Sequence, residues 1–166
     1  MNSPLAVKEK LIEELGKPDT HVFRFVYVQD GEWAEHDFQP VYQRLECFSV
    51  TKSFTATAVG LAQGEGFLSL DDPISRYFSE EWPADADEKL SRVTVRHLLT
   101  HTMGLESGFL FDSDRYQRPE KDWVKLSLSA PLAYEPGTHF TYSNSTIYLL
   151  SRIVRKATGR RMEEYL

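Results

Sequence analysis

The chain has 166 residues, with 25 Asp and Glu against 19 Lys and Arg and a formal net charge of −6. That length holds one ordinary domain with a real core, and the acidic balance argues against nucleic acid as a partner. The 41% hydrophobic and 27% charged composition is that of soluble globular proteins; no apolar run approaches a membrane span, and a single cysteine, Cys47, rules out an intrachain disulfide framework.

The first residues, MNSPLAVKEKLIEELG, form a charged amphipathic segment and not a signal peptide. This points to the cytoplasm, with export after removal of a signal left open. Ser3-Pro4 is a helix start, an N-cap followed by proline at the first helical position. Leu5, Ile12 and Leu15 supply an apolar side and Gly16 closes the segment. His21 to Gln29 is rich in β-branched and aromatic residues and apolar on both faces apart from Arg24, which predicts a strand covered on both sides. Asp30-Gly31 is a hairpin turn signal, and Glu32 to Phe38 is the returning strand. A lone hairpin is marginal in water. No second convincing strand run follows residue 40, so the β part reads as unfinished.

Cys47 to Gly64 has helical length and is almost wholly apolar or small, which predicts a buried helix from about Ser49 to Gln63, ended by Gly64 and Gly66. Cys47 is expected to be a buried small hydrophobe. Ser69–Phe78 reads as a loop with a short helical turn, in which Asp71 and Asp72 cap the turn before Pro73. Glu80–Lys89 reads as a solvated loop. Thr94 caps a short helix that ends near Gly104. Gly108–Glu120 lacks periodicity, and Glu120–Ser129 reads as helical until Pro131. Ser143, Asn144 and Ser145 form a cap cluster. Ile147, Leu150, Val154 and Ala157 then line one face of a helix ending at Gly159. The cations Arg152, Arg155, Lys156, Arg160 and Arg161 sit toward its end, where they suit the helix dipole. Arg160–Leu166 begins another helix.

Two places carry chemistry. Ser49 and Lys52 lie at i and i+3, on one helix face. Lys52 is the only charge between Cys47 and Gly64, so its surroundings should depress its pKa. Ser49 lies near the helix start, where free N–H groups favour developing negative charge. A serine beside such a lysine is a nucleophile–base pair; a snorkelling lysine and an ordinary capping serine fit the same letters. The second place is Tyr142-Ser143-Asn144, which presents a phenol and an amide to one cavity, or else is a core tyrosine with a helix cap. His97 and His101 are spaced i, i+4, yet no glutamate follows His97 and no third ligand is near, so they read as structural and no metal is called for. No glycine-rich phosphate loop is present.

Taken together, SVTKSFTA, GLAQGEGFLSLDDPI, TVRHLLTHTMGL, EPGTHFTYSN and YLLSRIVRKATG resemble the serine β-lactamase and penicillin-binding-protein superfamily, and within it the class C β-lactamase-like group of carboxylesterases, D-amino-acid peptidases and amide hydrolases. The resemblance covers roughly residues 21–166. It implies an α+β fold, an antiparallel sheet of which the first hairpin is present, with an inserted, mainly helical lobe. Residues 1–46 hold a helix and two strands, and residues 47–166 the lobe. It also implies that Ser49 is the acylated nucleophile, that Lys52 and Tyr142 share the proton work, and that Asn144 holds Lys52 and the substrate amide. The Ser49 backbone N–H would be one oxyanion donor. The small-molecule substrate would be an ester or amide, and no cofactor is required.

The third motif of that superfamily, Lys-Thr-Gly or a histidine variant on a later strand, does not occur in the sequence. The expectation is therefore an N-terminal portion of a longer hydrolase, or else a trimmed relative of it, with weak or no activity by itself. Two other readings stand beside it: a non-catalytic ligand-binding or sensing relative that keeps the pocket, and a module that self-associates through an exposed sheet edge.

Overall fold

A computed structural model describes residues 4–39, 46–111 and 120–166. The chain forms two compact units, Met1–Glu46 and Cys47–Leu166. In the first, helix α1 (Pro4–Leu15) accompanies an antiparallel hairpin of β1 (Arg24–Gln29) and β2 (Glu32–Asp37). The expected cap at Ser3 lies outside the described residues. The hairpin turns at Asp30-Gly31, both with positive φ (53° and 82°), the combination a tight two-residue turn needs. Register sets Arg24 opposite Asp37 and Val28 opposite Trp33. Arg24, the one charge in an otherwise apolar β1, pairs with Glu35 and with Asp37 at 3.2 Å.

The expectation that β1 is covered on both faces is corrected. Phe25 and Tyr27 are half-buried, whereas Val26 and Val28 are exposed, as is Trp33 at 68%. Residues on a strand alternate between faces, and α1, the one helix among the described residues of this unit, can shelter only one of them. Phe25, His36 and Phe38 make a small aromatic cluster on the sheltered side.

The second unit is helical. A 3-10 turn, Phe48–Val50, leads into α2 (Thr51–Gly64). Short 3-10 turns at Ile74–Arg76 and Glu88–Arg92 precede α3 (Val95–Leu99), and then come α4 (Trp123–Leu128), α5 (Asn144–Thr158) and α6 (Met162–Tyr165). Part of the aperiodic stretch after Gly108, residues 112–119, lies outside the described residues. Among the described residues no helix is long and apolar enough to cross a membrane.

The core is built on α5. Its Leu149, Leu150, Ile153 and Val154 are fully buried, and α2, α3 and α4 pack against it. The inward stripe of α2 is Thr55, Ala58, Val59 and Ala62, at helical spacing. These small side chains let the two helix backbones approach closely. The remaining face of α2 is not buried: Phe54 and Leu61 are open, as are Phe48 (80% exposed) and Val50 in the turn that precedes it. The expected buried helix is thus a one-sided one. Its apolar composition misled because composition reports hydrophobicity and not which side is covered. Cys47 is exposed rather than buried, because it sits in the lead-in to the turn and off the inner stripe.

Caps fall where polar residues precede apolar periodicity. Thr94 and His97 form a reciprocal capping box on α3. Asp122 caps α4 through Val124 N at 2.9 Å, and Ser143 caps α5 through Ser145 N at 3.1 Å. Asp72 ties its turn by accepting from Ser69 N at 2.9 Å and the Tyr77 hydroxyl at 2.6 Å. The loop expected to be solvated at Glu80–Lys89 is anchored near both ends: both Glu81 oxygens accept from Lys156 Nζ, at 2.7 and 2.8 Å, and Lys89 Nζ donates to Leu132 O at 3.2 Å.

Two glycines separate local from tertiary constraint. Gly159 ends α5 with φ 74°, and a Cβ there meets nothing within 4 Å. Gly104 has φ 103°, and a Cβ there would stand 2.4 Å from the Tyr134 carbonyl oxygen. Gly159→Ala should cost about 1 kcal/mol, the left-handed penalty alone. Gly104→Ala should cost about 3 kcal/mol, because backbone must also move. Urea unfolding of the two variants checks the order, and equal losses would contradict it.

Candidate active site

The site lies wholly within the second unit, where two ends of packed helices meet. Ser49 is in the middle of the 3-10 turn that opens onto α2, and it is exposed. The first hydrogen bond of that turn runs from Val50 N to Cys47 O at 3.0 Å, so the Ser49 N–H comes before the bonded run. Lys52 is in the first turn of α2, three residues on. Tyr142 occupies the extended stretch just before α5, Ser143 is the cap, and Asn144 is the first helical residue.

The four side chains form one connected set. Ser49 Oγ and Tyr142 Oη are 2.7 Å apart. Lys52 Nζ donates to Asn144 Oδ1 at 2.8 Å and lies 3.3 Å from Ser49 Oγ. The same nitrogen is 4.9 Å from the centroid of the Tyr142 ring. Asn144 uses its other end to donate from Nδ2 to Leu110 O at 3.2 Å, which fixes the amide orientation and aims its oxygen at Lys52.

Lys52 is half-buried rather than enclosed in an apolar helix. The premise of a lone charge in an apolar environment is therefore corrected: it has two oxygen partners, both supplied by tertiary contact or the preceding turn. The phenol of Tyr142 is held below its ordinary value, first by the hydrogen bond from Ser49 and then by the hydrogen bond and charge of Lys52. Either hydroxyl could donate in the Ser49–Tyr142 pair. Donation from Ser49 is the direction that stabilises a phenolate, and it aligns the serine proton with a base.

Three residues with left-handed backbones flank this set: Phe48 (φ 43°) before the serine, His101 (φ 57°) and Leu110 (φ 58°). Such conformations cost a non-glycine residue and persist only where surrounding contacts dictate them. The Phe109–Leu110 loop grips the start of α5: Phe109 N bonds Ser143 Oγ at 3.1 Å, and Phe109 O accepts from Asn144 N at 3.1 Å.

His101 and Phe111 are the neighbours that spacing did not reveal. Both rings stack on Tyr142, with centroids 5.1 and 6.4 Å away. The i, i+4 spacing of His97 and His101 offers either a metal pair or two structural histidines, and carries no sign of a contact with Tyr142. His97 Nδ1 instead takes the Thr94 N–H at 3.2 Å, while His101 Nδ1 faces Ser143 N and the Thr146 hydroxyl. Among the described residues no group of three or more His, Cys, Asp or Glu converges to hold a metal ion.

A sequence model of the Beta-lactamase family matches residues 40–166. Esterase EstB of Burkholderia gladioli is 36% identical over 125 residues, which cover 68% of this chain and 32% of that protein. A beta-lactamase of Escherichia coli K12 is 30% identical over 128 residues, 76% of this chain and 32% of that one. Among solved structures, a class C beta-lactamase superposes with a TM-score of 0.75 at 27% identity, over 96% of this chain and 46% of that chain. The fold is thus β-lactamase/transpeptidase-like. The chain spans about a third of the length of the curated relatives it matches.

The electrostatics of the site are open to direct measurement. The Tyr142 phenol should titrate below the ordinary value of about 10, and Ser49→Ala and Lys52→Met should each move it back up. Ultraviolet difference titration against Tyr142→Phe isolates this one phenol. A titration point that neither substitution shifts would contradict the assignment of cause.

Proposed function

The chain belongs to the serine β-lactamase family, and on that premise we propose that it carries the nucleophile and proton-transfer groups of a serine hydrolase acting on an ester or amide carbonyl. One observation carries this reading: a single serine hydroxyl lies 2.7 Å from a phenol and 3.3 Å from a lysine that an asparagine holds at 2.8 Å. A capping serine and a snorkelling lysine would not need two further side chains, from 92 and 93 residues away, converging on them.

In the proposed reaction Ser49 Oγ attacks the carbonyl carbon while its proton passes to the Tyr142 oxygen, the nearer of the two candidate acceptors. Lys52 favours the phenolate form by its charge and hydrogen bond. The carbonyl oxygen gains the electron pair and is met by the Ser49 N–H at the start of the helical run. The tetrahedral intermediate collapses, the proton returns to the departing alkoxide or amine, and an acyl ester remains on Ser49. Water then attacks that ester by the same route in reverse, releasing the carboxylic acid and restoring the hydroxyl. Asn144 keeps Lys52 in place and has the amide chemistry to meet a substrate amide. No cofactor takes part.

The names of the relatives bound the substrate class. They include an esterase, beta-lactamases and, among solved structures, a D-stereospecific amidohydrolase from Streptomyces. An activated carboxylic ester or amide is what such chemistries share, and we propose no narrower substrate.

The sequence holds no Lys-Thr-Gly or His-x-Gly segment to bring a second oxyanion donor. Loss of one such donor costs about a hundredfold or more in rate. The 166-residue polypeptide is therefore proposed to acylate slowly and to show weak turnover or none.

A fluorophosphonate probe, which reports the nucleophile without needing turnover, is expected to label Ser49, as read by peptide mass spectrometry. Ser49→Ala should abolish labelling, and Tyr142→Phe should slow it about a hundredfold. Labelling that persists in Ser49→Ala would refute the nucleophile. Saturable penicillin binding with no covalent adduct would instead favour a non-catalytic, ligand-binding relative.

A further inference from the structure

His101 belongs to none of the roles assigned above, yet it touches the chain on both sides of Tyr142. Its carbonyl oxygen accepts from Thr141 N at 2.9 Å. Its Nδ1 accepts from Ser143 N at 3.3 Å. Between these two contacts its ring stacks on the Tyr142 phenol, with centroids 5.1 Å apart and planes 29° apart. Residue 142 is thereby bracketed by the residue before it, the residue after it and its own ring.

The bracket is itself held. Thr146 Oγ1, one turn into α5, stands 2.9 Å from the same Nδ1. Phe140 packs edge-on against the imidazole at 5.8 Å. The backbone at His101 is left-handed, φ 57°, a conformation that histidine shares chiefly with asparagine and aspartate among side-chain-bearing residues.

With Nδ1 bare and the proton on Nε2, the neutral imidazole can accept the Ser143 N–H at 3.3 Å; the Thr146 hydroxyl stands 2.9 Å from the same nitrogen and also donates to Ser143 O at 3.0 Å. A proton on Nδ1 would set one N–H against another. The ionisable groups that face the ring are Lys52 and Tyr142. Burial, and then the positive charge of Lys52, hold the imidazole below its ordinary value, which keeps it in this neutral form.

We propose that His101 is a positioning residue for proton transfer: by bracketing Tyr142 it holds the phenol oxygen against Ser49 Oγ. The inference rests on the reading of Tyr142 as the proton acceptor. It differs from a purely structural role in one respect. A structural histidine stabilises the unit, whereas a positioning histidine also sets how strongly Ser49 and Lys52 act on the phenol.

Two substitutions separate these roles. His101→Leu removes both the acceptor and the stacked ring. His101→Asn keeps an oxygen acceptor near the Nδ1 position and suits the left-handed backbone, but gives up the stack. The readouts are the Tyr142 titration by NMR of Cζ-labelled tyrosine, assigned with Tyr142→Phe, the rate of fluorophosphonate labelling at Ser49, and the thermal midpoint. In His101→Leu the phenol should titrate closer to its ordinary value, and labelling should slow about tenfold to a hundredfold, as expected for a displaced reacting group. His101→Asn should fall between His101→Leu and the unsubstituted chain on both measures. Wild-type titration and labelling in His101→Leu, whatever its thermal midpoint, would overturn the proposal. If His101→Leu does not fold, His101→Asn decides: a raised phenol titration supports the bracket and an unchanged one overturns it. If Ser49 in the unsubstituted chain takes no probe, the hydrolase reading fails, while the titration still tests the hold of His101 on Tyr142.

Discussion

The contact on which the arrangement of the candidate site depends is Lys52 Nζ to Asn144 Oδ1, 2.8 Å across the mouth of two packed helices. It joins an apolar seam to a polar end. Along the seam, Ala58, Val59 and Ala62 of α2 meet the buried leucines and isoleucine of α5, and burial of that surface holds the helices together. At the open end the same approach sets an ammonium beside an amide oxygen. A hydrogen bond to a charged group contributes about 1.5–3 kcal/mol, less than the seam supplies, but it is directional where the seam is not. It fixes which way Lys52 points, and so brings the lysine to Ser49 and under the Tyr142 ring.

Stability and chemistry draw on opposite features of this region. The core side chains are fully buried, while the proposed reacting groups sit on loops and helix starts held in conformations that cost energy. Phe48, His101 and Leu110 all adopt left-handed backbones, and each adjoins a member of the site: the serine, the phenol and the carbonyl that orients Asn144. Hydrogen bonds across loops hold these conformations in place, from Phe109 to Ser143 and Asn144 and from His101 to Thr141 and Ser143. Such loops would hold the proposed reacting groups in place before substrate arrives, which is where an enzyme gains most from electrostatics.

Much of the secondary structure was legible because its causes are local. Asp30-Gly31 set the hairpin turn, Thr94, Ser143 and Gly159 set helix ends, and the apolar face of Ile147 to Ala157 set α5. The errors share one origin. The helix of Cys47–Gly64 looked buried, Cys47 with it, and β1 looked covered on both faces, because each is rich in apolar residues. Burial is a property of neighbours, however, and Phe54, Leu61, Val26 and Val28 are apolar and exposed together. Lys52 shows the same lesson from the polar side: its letter pattern suggested isolation, and its partners came from elsewhere in the chain.

The sequence by itself determined the residue types and their short-range spacing. It placed Ser49 and Lys52 one turn apart, put Tyr142 and Asn144 at a helix start, and through its similarity to a known superfamily joined the two pairs into one expectation. Tertiary structure alone decided the distances between the pairs, the hold of Leu110 on Asn144 and the bracketing of Tyr142 by His101. The physical reason is separation along the chain. Helical periodicity and capping act over three or four residues, whereas the Ser49–Tyr142 and Lys52–Asn144 contacts span 93 and 92. Only the packing of α2 on α5 converts those separations into hydrogen-bond distances.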